Sequence, residues 1–369
     1  MSDEAPQSLP GDRFTRGADI GVDVTMIERE LASLWRQASS DDRAVTRACS
    51  WNLLIHVAEG EDVDAARALV DKVVMPVPSR AIVLVPRPND AGKEVEAFVS
   101  ANCQVAPGGK GKLLCSEEIT ILTRGVGDRL VPSLVRALLV PDVPTALLWI
   151  GPPPADPRQI PYFECVDRLI FDSAKWIGPS AAMERTYAGI RAESRASVSL
   201  VDLAWLRAGF LRSMLATMFD PPTGSGPLER VTELVVSGAT GGNSTARIFA
   251  AWFASRLGWS TGRIPDRGTK AKTKSGGEVS IVVDGEARAT PSGLANVVVR
   301  TTDAGGAPIE FSIQDVGDGT LNVHVHGQTD RPKIAADLAI ERLVIAALGA
   351  RGRDPVYRDA LALAAGAEG

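Results

Sequence analysis

The sequence predicts an α/β protein with two sheets. The first is a mostly parallel N-terminal sheet covered by helices; the second belongs to a C-terminal α+β domain and is largely antiparallel. Three observations predict this. Short apolar, β-branched runs alternate with segments of helical period through the first half of the chain. In the second half, strand-like runs at 279–283, 297–300, 309–314 and 321–326 follow one another through short Asp/Gly links, which join antiparallel neighbours. Between the halves, Asp220-Pro221-Pro222-Thr223-Gly224-Ser225-Gly226 breaks the chain. The expected organisation is a disordered tail over 1–21, an α/β domain over 22–220 and an α+β domain over 221–369.

Each element has its own signal. Ile27, Leu31, Leu34 and Trp35 recur at helical spacing and predict a helix over 25–37. Residues 49–58 form an apolar run that reads as a buried strand. Val63, Ala66, Leu69, Val70 and Val73 share one side of a helix over 62–74. A short β-branched strand follows at 81–85. Segments 94–103 and 118–122 flank Pro107-Gly108-Gly109-Lys110-Gly111 and read as a hairpin. Helices are expected over 130–139 and 181–190, and strands over 146–150 and 169–171. The longest helical segment expected is 199–219, with Asp202 as its N-cap and Leu203, Leu211 and Leu215 on its apolar stripe. Beyond the break come a strand at 231–236, a helix at 244–257 and a polar loop over 261–277. After the four strand-like runs, an amphipathic helix at 333–348 and a short helix at 356–365 close the domain.

Composition narrows the function. The chain has 369 residues, 45% hydrophobic, enough for a sizeable core. A net charge of −5 argues against a nucleic-acid binder. No apolar run approaches membrane-spanning length, and the N-terminus lacks the basic-then-apolar pattern of a secretory signal, so a cytoplasmic location is expected. Cys49, Cys103, Cys115 and Cys165 form no Cys-x-x-Cys pair and are expected as reduced thiols. Cys103 and Cys115 flank the hairpin loop and are placed to approach each other.

No catalytic constellation stands out, and neither a metal nor a cofactor is expected. Ser237-Gly238-Ala239-Thr240-Gly241-Gly242-Asn243-Ser244 lies between a predicted strand and a predicted helix, a context for anion binding at a helix N-terminus. It has neither the lysine of a Walker loop nor dinucleotide spacing, so a tight structural turn is the alternative. Asp172-Ser173 follows a strand, where ligands of α/β sheets bind; a capping turn is the alternative. The candidate ligand residues are thus Asp172, Ser173, Gly238, Gly241, Gly242 and Ser244. His324 and His326 share one strand face but lack further metal ligands, and His56 in its apolar run reads as a core residue. Lys270, Lys272 and Lys274 alternate in the 261–277 segment, as in a solvated loop. Trp205, Arg207 and Arg212 fall beside the stripe of the 199–219 helix, which predicts an exposed docking flank.

Six separated segments carry a resemblance. They are Trp51-Asn52-Leu53-Leu54; Pro78-Ser79-Arg80; Cys115-Ser116-Glu117-Glu118; Pro141-Asp142-Val143-Pro144; Asp167-Arg168 with Asp172-Ser173; and Asp202-Leu203-Ala204-Trp205. Their order and spacing resemble the glucose-6-phosphate dehydrogenase assembly protein family, the OpcA family. One departure is Arg207-Ala208-Gly209-Phe210-Leu211-Arg212, where Phe210 or Leu211 replaces a second Trp of the family pattern. The resemblance implies a non-enzymatic partner that assembles with and activates glucose-6-phosphate dehydrogenase. The rival reading is a sugar-phosphate-binding enzyme or sensor that uses the Gly238-to-Ser244 loop.

Overall fold

The computed structural model describes residues 13–16, 20–21, 24–39, 45–91, 95–105, 113–125, 131–176, 180–192, 198–221, 223–238, 244–262, 264, 268–285, 290–334 and 339–366. In chain order the first elements are β1 (Arg13–Arg16), β2 (Ile20–Gly21), α1 (Val24–Ser39), β3 (Val45–Arg47), β4 (Trp51–Val57) and α2 (Val63–Val74). Then come β5 (Ser79–Arg87), β6 (Val95–Val105), β7 (Leu113–Arg124), α3 (Val131–Leu138), β8 (Thr145–Ile150) and β9 (Arg168–Phe171). The middle of the chain forms α4 (Ser180–Ala192), β10 (Ser199–Asp202), α5 (Leu203–Arg207), α6 (Gly209–Thr217), β11 (Glu233–Gly238) and α7 (Ser244–Leu257). It ends with β12 (Thr269–Lys272), β13 (Glu278–Gly285), β14 (Leu294–Thr302), β15 (Pro308–Gly317), β16 (Thr320–Val325), β17 (Arg331–Ile334), α8 (Ile340–Gly349) and α9 (Pro355–Ala365).

These elements form two units. The first comprises Met1–Gly151, Arg158–Phe171 and Ile340–Ala350; the second comprises Pro152–Pro157, Asp172–Ala339 and Arg351–Gly369. The division expected at residue 220 therefore differs from the observed one, because 172–220 packs with the second unit. Its helices are held by residues near the C-terminus, as described below.

In the first unit the strand order is β1-β6-β7-β5-β4-β8-β9, with β2 on β6 and β3 on β7. The pairs β4·β5, β4·β8, β5·β7 and β8·β9 are parallel, while β6 pairs antiparallel with β7 and β1. The sheet is mostly parallel, as expected. Its central strands are continuous apolar runs because helices cover both faces; Leu53, Leu54, Ile55, Ile82, Val83, Leu147 and Leu148 are all buried. The helix at α2 starts where the sequence places it: the Asp62 carboxylate accepts from the N–H groups of Asp64 and Ala65. The expected tail is corrected in part, because Arg13–Arg16 is a strand paired with β6.

The strand order in this sheet switches direction between the parallel neighbours β4 and β8, and Gly151, just past the end of β8, has φ +107°. A Cβ there would lie 2.8 Å from the Cβ of Ala58, so both the dihedral and the close approach require glycine.

The second unit has the order β12-β13-β11-β14-β15-β16-β17. Among the described residues, only β11·β13 is parallel and the other pairs are antiparallel. Three expectations are corrected here. The polar 261–277 segment contains β12, in which Lys270 and Lys272 alternate on a strand rather than in a loop. The 333–348 segment is not one helix, since Arg331–Ile334 is an edge strand and α8 begins at Ile340. The 199–219 segment is also divided. Ser199–Asp202 is a strand, α5 spans five residues, and the helix restarts at Gly209.

Candidate functional site

The resembling segments are the places where buried polar groups meet. In the first unit, the Asn52 side chain accepts from the N–H of Val140 at 2.8 Å and donates to the carbonyls of Val140 and Val143, each at 3.0 Å. It thereby holds the Pro141-Asp142-Val143-Pro144 turn, where Asp142 has φ 60°. Arg80 donates from Nε to Glu117 Oε2 at 2.7 Å and from Nη1 to Glu28 Oε1 and the Leu138 carbonyl. Trp35 Nε1–H completes Glu117 at 2.7 Å. Glu118, on the opposite sheet face, accepts from Arg67 Nε at 2.8 Å. Arg168 donates to the carbonyls of Ala347, Leu348 and Ala350, each at 2.7 Å, and so caps the end of α8.

The second unit contains the candidate ligand residues Asp172 and Ser173, and the structure joins them to Asp202. Asp202 is wholly buried. One carboxylate oxygen accepts from the backbone N–H of Ser173 at 3.0 Å and of Ala204 at 3.0 Å. The other accepts from the Ser173 hydroxyl at 2.6 Å and the Tyr357 hydroxyl at 3.2 Å. Burial, and then the neighbouring Asp172 charge, push its pKa up to about 6 against the opposing pull of those hydrogen bonds. Asp172 caps the turn that follows it and pairs with Arg207 at 2.7 Å. The expected N-cap at Asp202 is therefore real, and Asp172-Ser173 is a fully bonded capping turn.

The expected exposed flank is not exposed. Trp205 has 6% relative exposure. Its Nε1–H donates to Asp354 Oδ2 at 2.8 Å, and its ring lies 5.3 Å from that of Tyr357. The Arg212 guanidinium stacks on the indole 3.2 Å from its centroid and donates to the Trp205 carbonyl at 2.7 Å. Burial lowers the Arg212 pKa to about 10. Arg207 is committed to Asp172. The physical reason is the break before Gly209: a wheel drawn through one continuous helix puts Trp205 outward, whereas the short α5 turns it into the packed interior. Tyr357 and Asp354 were not singled out in the sequence, being some 150 residues away from the groups they bind.

The Gly-rich segment has the predicted context. β11 ends at Gly238 and α7 begins at the buried Ser244. Gly241 and Gly242 lie outside the described residues. Near the start of α7, Thr245 Oγ1 is buried and has no hydrogen-bond partner among the described residues. His56 is a core residue, stacked 3.8 Å from Trp149 and bonded to the Tyr162 hydroxyl at 2.6 Å; burial lowers its pKa to about 4, so it is neutral. His324 pairs with Asp330 at 2.6 Å. Among the described residues, no group of three or more His, Cys, Asp or Glu is placed to hold a metal. Cys115 is disulfide-bonded, which corrects the expectation of four reduced thiols; the residue opposite it on β6 is Cys103. Cys49 and Cys165 are not in disulfides. Among the described residues, no helix is long and apolar enough to cross a membrane.

These features define a two-unit α/β protein whose distinctive residues are knots of internal hydrogen bonding. Two family models match it: the glucose-6-phosphate dehydrogenase subunit N-terminal domain over residues 71–188 and the corresponding C-terminal domain over 198–361. The chain belongs to the OpcA family of glucose-6-phosphate dehydrogenase assembly proteins. It is 28% identical over 233 residues to an OxPP cycle protein OpcA of Synechococcus elongatus, covering 62% of this chain and 50% of that one. It is 26% identical over 197 residues to the OpcA of Synechocystis sp., covering 52% and 39%. The matched region thus spans half or less of the length of these relatives. Among solved structures, an oxidoreductase from Sinorhizobium meliloti is similar with 13% identity and TM-score 0.48, covering 85% of this chain and 94% of that one.

Proposed function

We propose that this protein is a non-catalytic assembly factor that binds glucose-6-phosphate dehydrogenase and activates it, acting in the cytoplasm within the oxidative pentose phosphate pathway. The observation that carries this reading is the pair of family matches over 71–188 and 198–361. The side-chain chemistry supports it. Arg80, Glu117, Asp172, Ser173 and Asp202 are the polar groups most suggestive of a reaction centre, and each is engaged in internal bonding. Activation then follows from linkage: a protein that binds the active oligomer more tightly than the inactive one shifts the population toward activity by the same free energy. A coupling of about 1–3 kcal/mol, the usual range, raises the active-to-inactive ratio roughly 5- to 150-fold.

The test is complex formation. The purified chain is mixed with dehydrogenase from the same source and run on size exclusion with light scattering. A stoichiometric complex is expected. Independent elution at micromolar concentrations of both proteins contradicts the reading.

A further inference from the structure

A groove within the second unit lies apart from the knots described above. Its floor is Val323 and Val325 of β16. One wall is Met214 and Thr217 of α6, with Met218 just beyond the helix and Pro221 and Thr223 in the turn that follows. The other wall is Arg331 and Lys333 of β17, the last strand of its sheet. These two stand opposite Val323 and Leu321 in register, so they share the face on which Val323 lies. The groove has a volume of about 190 Å³. That is below the range of sites for whole small molecules and suits a protruding side chain.

The groove is apolar at its base and cationic along one rim. Met218 and Val323 are buried, and Met214 and Val325 are half-buried. Methionine, flexible and polarisable, adapts to side chains of varied shape. Arg331 and Lys333 are exposed, and among the described residues neither side chain makes an ion pair. Arg300, in the middle of the same sheet, is by contrast paired with Glu233 and Glu310. One carboxylate, Asp220, lines the groove from the α6 side and pairs with neither cation. Two cations thus face one carboxylate, in a chain whose net charge is −5. Two kinds of occupant fit poorly. A second copy seated by this same groove brings Arg331 and Lys333 toward their own counterparts. A strand added along β17 meets Pro332, which has no N–H to donate.

We propose that this groove docks an acidic segment of the dehydrogenase. One apolar side chain of that segment seats among Met214, Met218 and Val323, and the carboxylates beside it pair with Arg331 and Lys333. The identity of the partner rests on the assembly reading above; the chemistry of the contact rests on the groove alone. An apolar anchor in a pocket supplies affinity. The cationic rim speeds encounter and fixes the orientation of the incoming segment.

The experiment measures binding of the full chain to purified glucose-6-phosphate dehydrogenase from the same source, by biolayer interferometry at low and at high salt. Arg331→Glu with Lys333→Glu should weaken binding about tenfold or more and flatten its salt dependence. Thr217→Trp, which fills the groove without changing charge, should also weaken binding about tenfold but leave the salt dependence in place. All three positions are exposed, so the urea midpoints should not move. A further readout needs no variant: complex formation should slow hydrogen exchange at the amides of 214–218 and 323–333. Unchanged affinity in both variants of an intact complex, or slowed exchange confined to other segments, overturns the docking site and leaves the assembly reading standing. Absence of any complex with the unaltered chain overturns both.

Discussion

Replacing Asp202 with Asn tests whether the second unit is closed around a buried carboxyl. In the folded chain the Asp202 pKa rises from 3.8 to about 6. A raised acid pKa means that the folded state keeps a proton which the unfolded chain releases. Its stabilising contribution is therefore full below the unfolded value and is lost as pH rises from about 4 to about 6. A shift of about 2 units corresponds to ~3 kcal/mol. The groups facing it are Asp172, Arg207, Ser173 and Tyr357, and all of them remain in the variant. Asn keeps an oxygen to accept from the N–H groups of Ser173 and Ala204, but has no proton to release. Subtracting the variant's urea-unfolding free energy from the wild type's cancels the titration of every other group. That difference should move by about 2–2.5 kcal/mol in favour of Asn between about pH 4 and about pH 7, nearly all of it below pH 6.5. A difference that is flat in pH, or that favours Asp202 increasingly as pH rises, refutes the reasoning. Asp202→Ala should behave otherwise: it strands the buried donors of Ser173, Ala204 and Tyr357 at about 1–3 kcal/mol each and should lower stability at every pH.

Other expectations concern packing. Leu215 is fully buried on α6, and Leu215→Ala should cost roughly 2–5 kcal/mol in urea unfolding, measured on the second unit's transition. Trp205→Ala with Arg212→Ala removes a buried indole and the guanidinium stacked on it, so it should depress the melting temperature by many degrees; an unchanged melting temperature would restore the exposed-flank reading. Gly151→Ala forces a side chain into positive φ against Ala58 and should lower stability by about 1–3 kcal/mol, read by the same denaturation.

The parts of the fold legible in the sequence are those where burial imposes a clean period. The α2 stripe of Ala66, Leu69, Val70 and Val73 and the apolar runs of the central strands β4, β5 and β8 are such parts, and they are buried. Edge strands were not legible. β12 reads Thr-Lys-Ala-Lys and β17 reads Arg-Pro-Lys-Ile, because edges carry charge and proline to discourage unwanted pairing, and such composition looks like a loop. The helix after Asp202 was legible as a capped element but not as a broken one, and that one error turned Trp205 outward. The site was legible only in halves. Asp172-Ser173 and Asp202 were visible as motifs, but their union through Ser173, and the closing contacts of Tyr357 and Asp354, depend on chain segments far apart in sequence.

The most direct test of the assembly role is a steady-state assay of glucose-6-phosphate dehydrogenase from the same source, with and without this protein, over a range of glucose 6-phosphate concentrations. The account predicts that initial rates rise saturably with added protein, through apparent substrate affinity, maximal rate or both, and that the protein alone shows no turnover. Unchanged affinity and maximal rate at saturating protein, or turnover by the chain on its own, would contradict it.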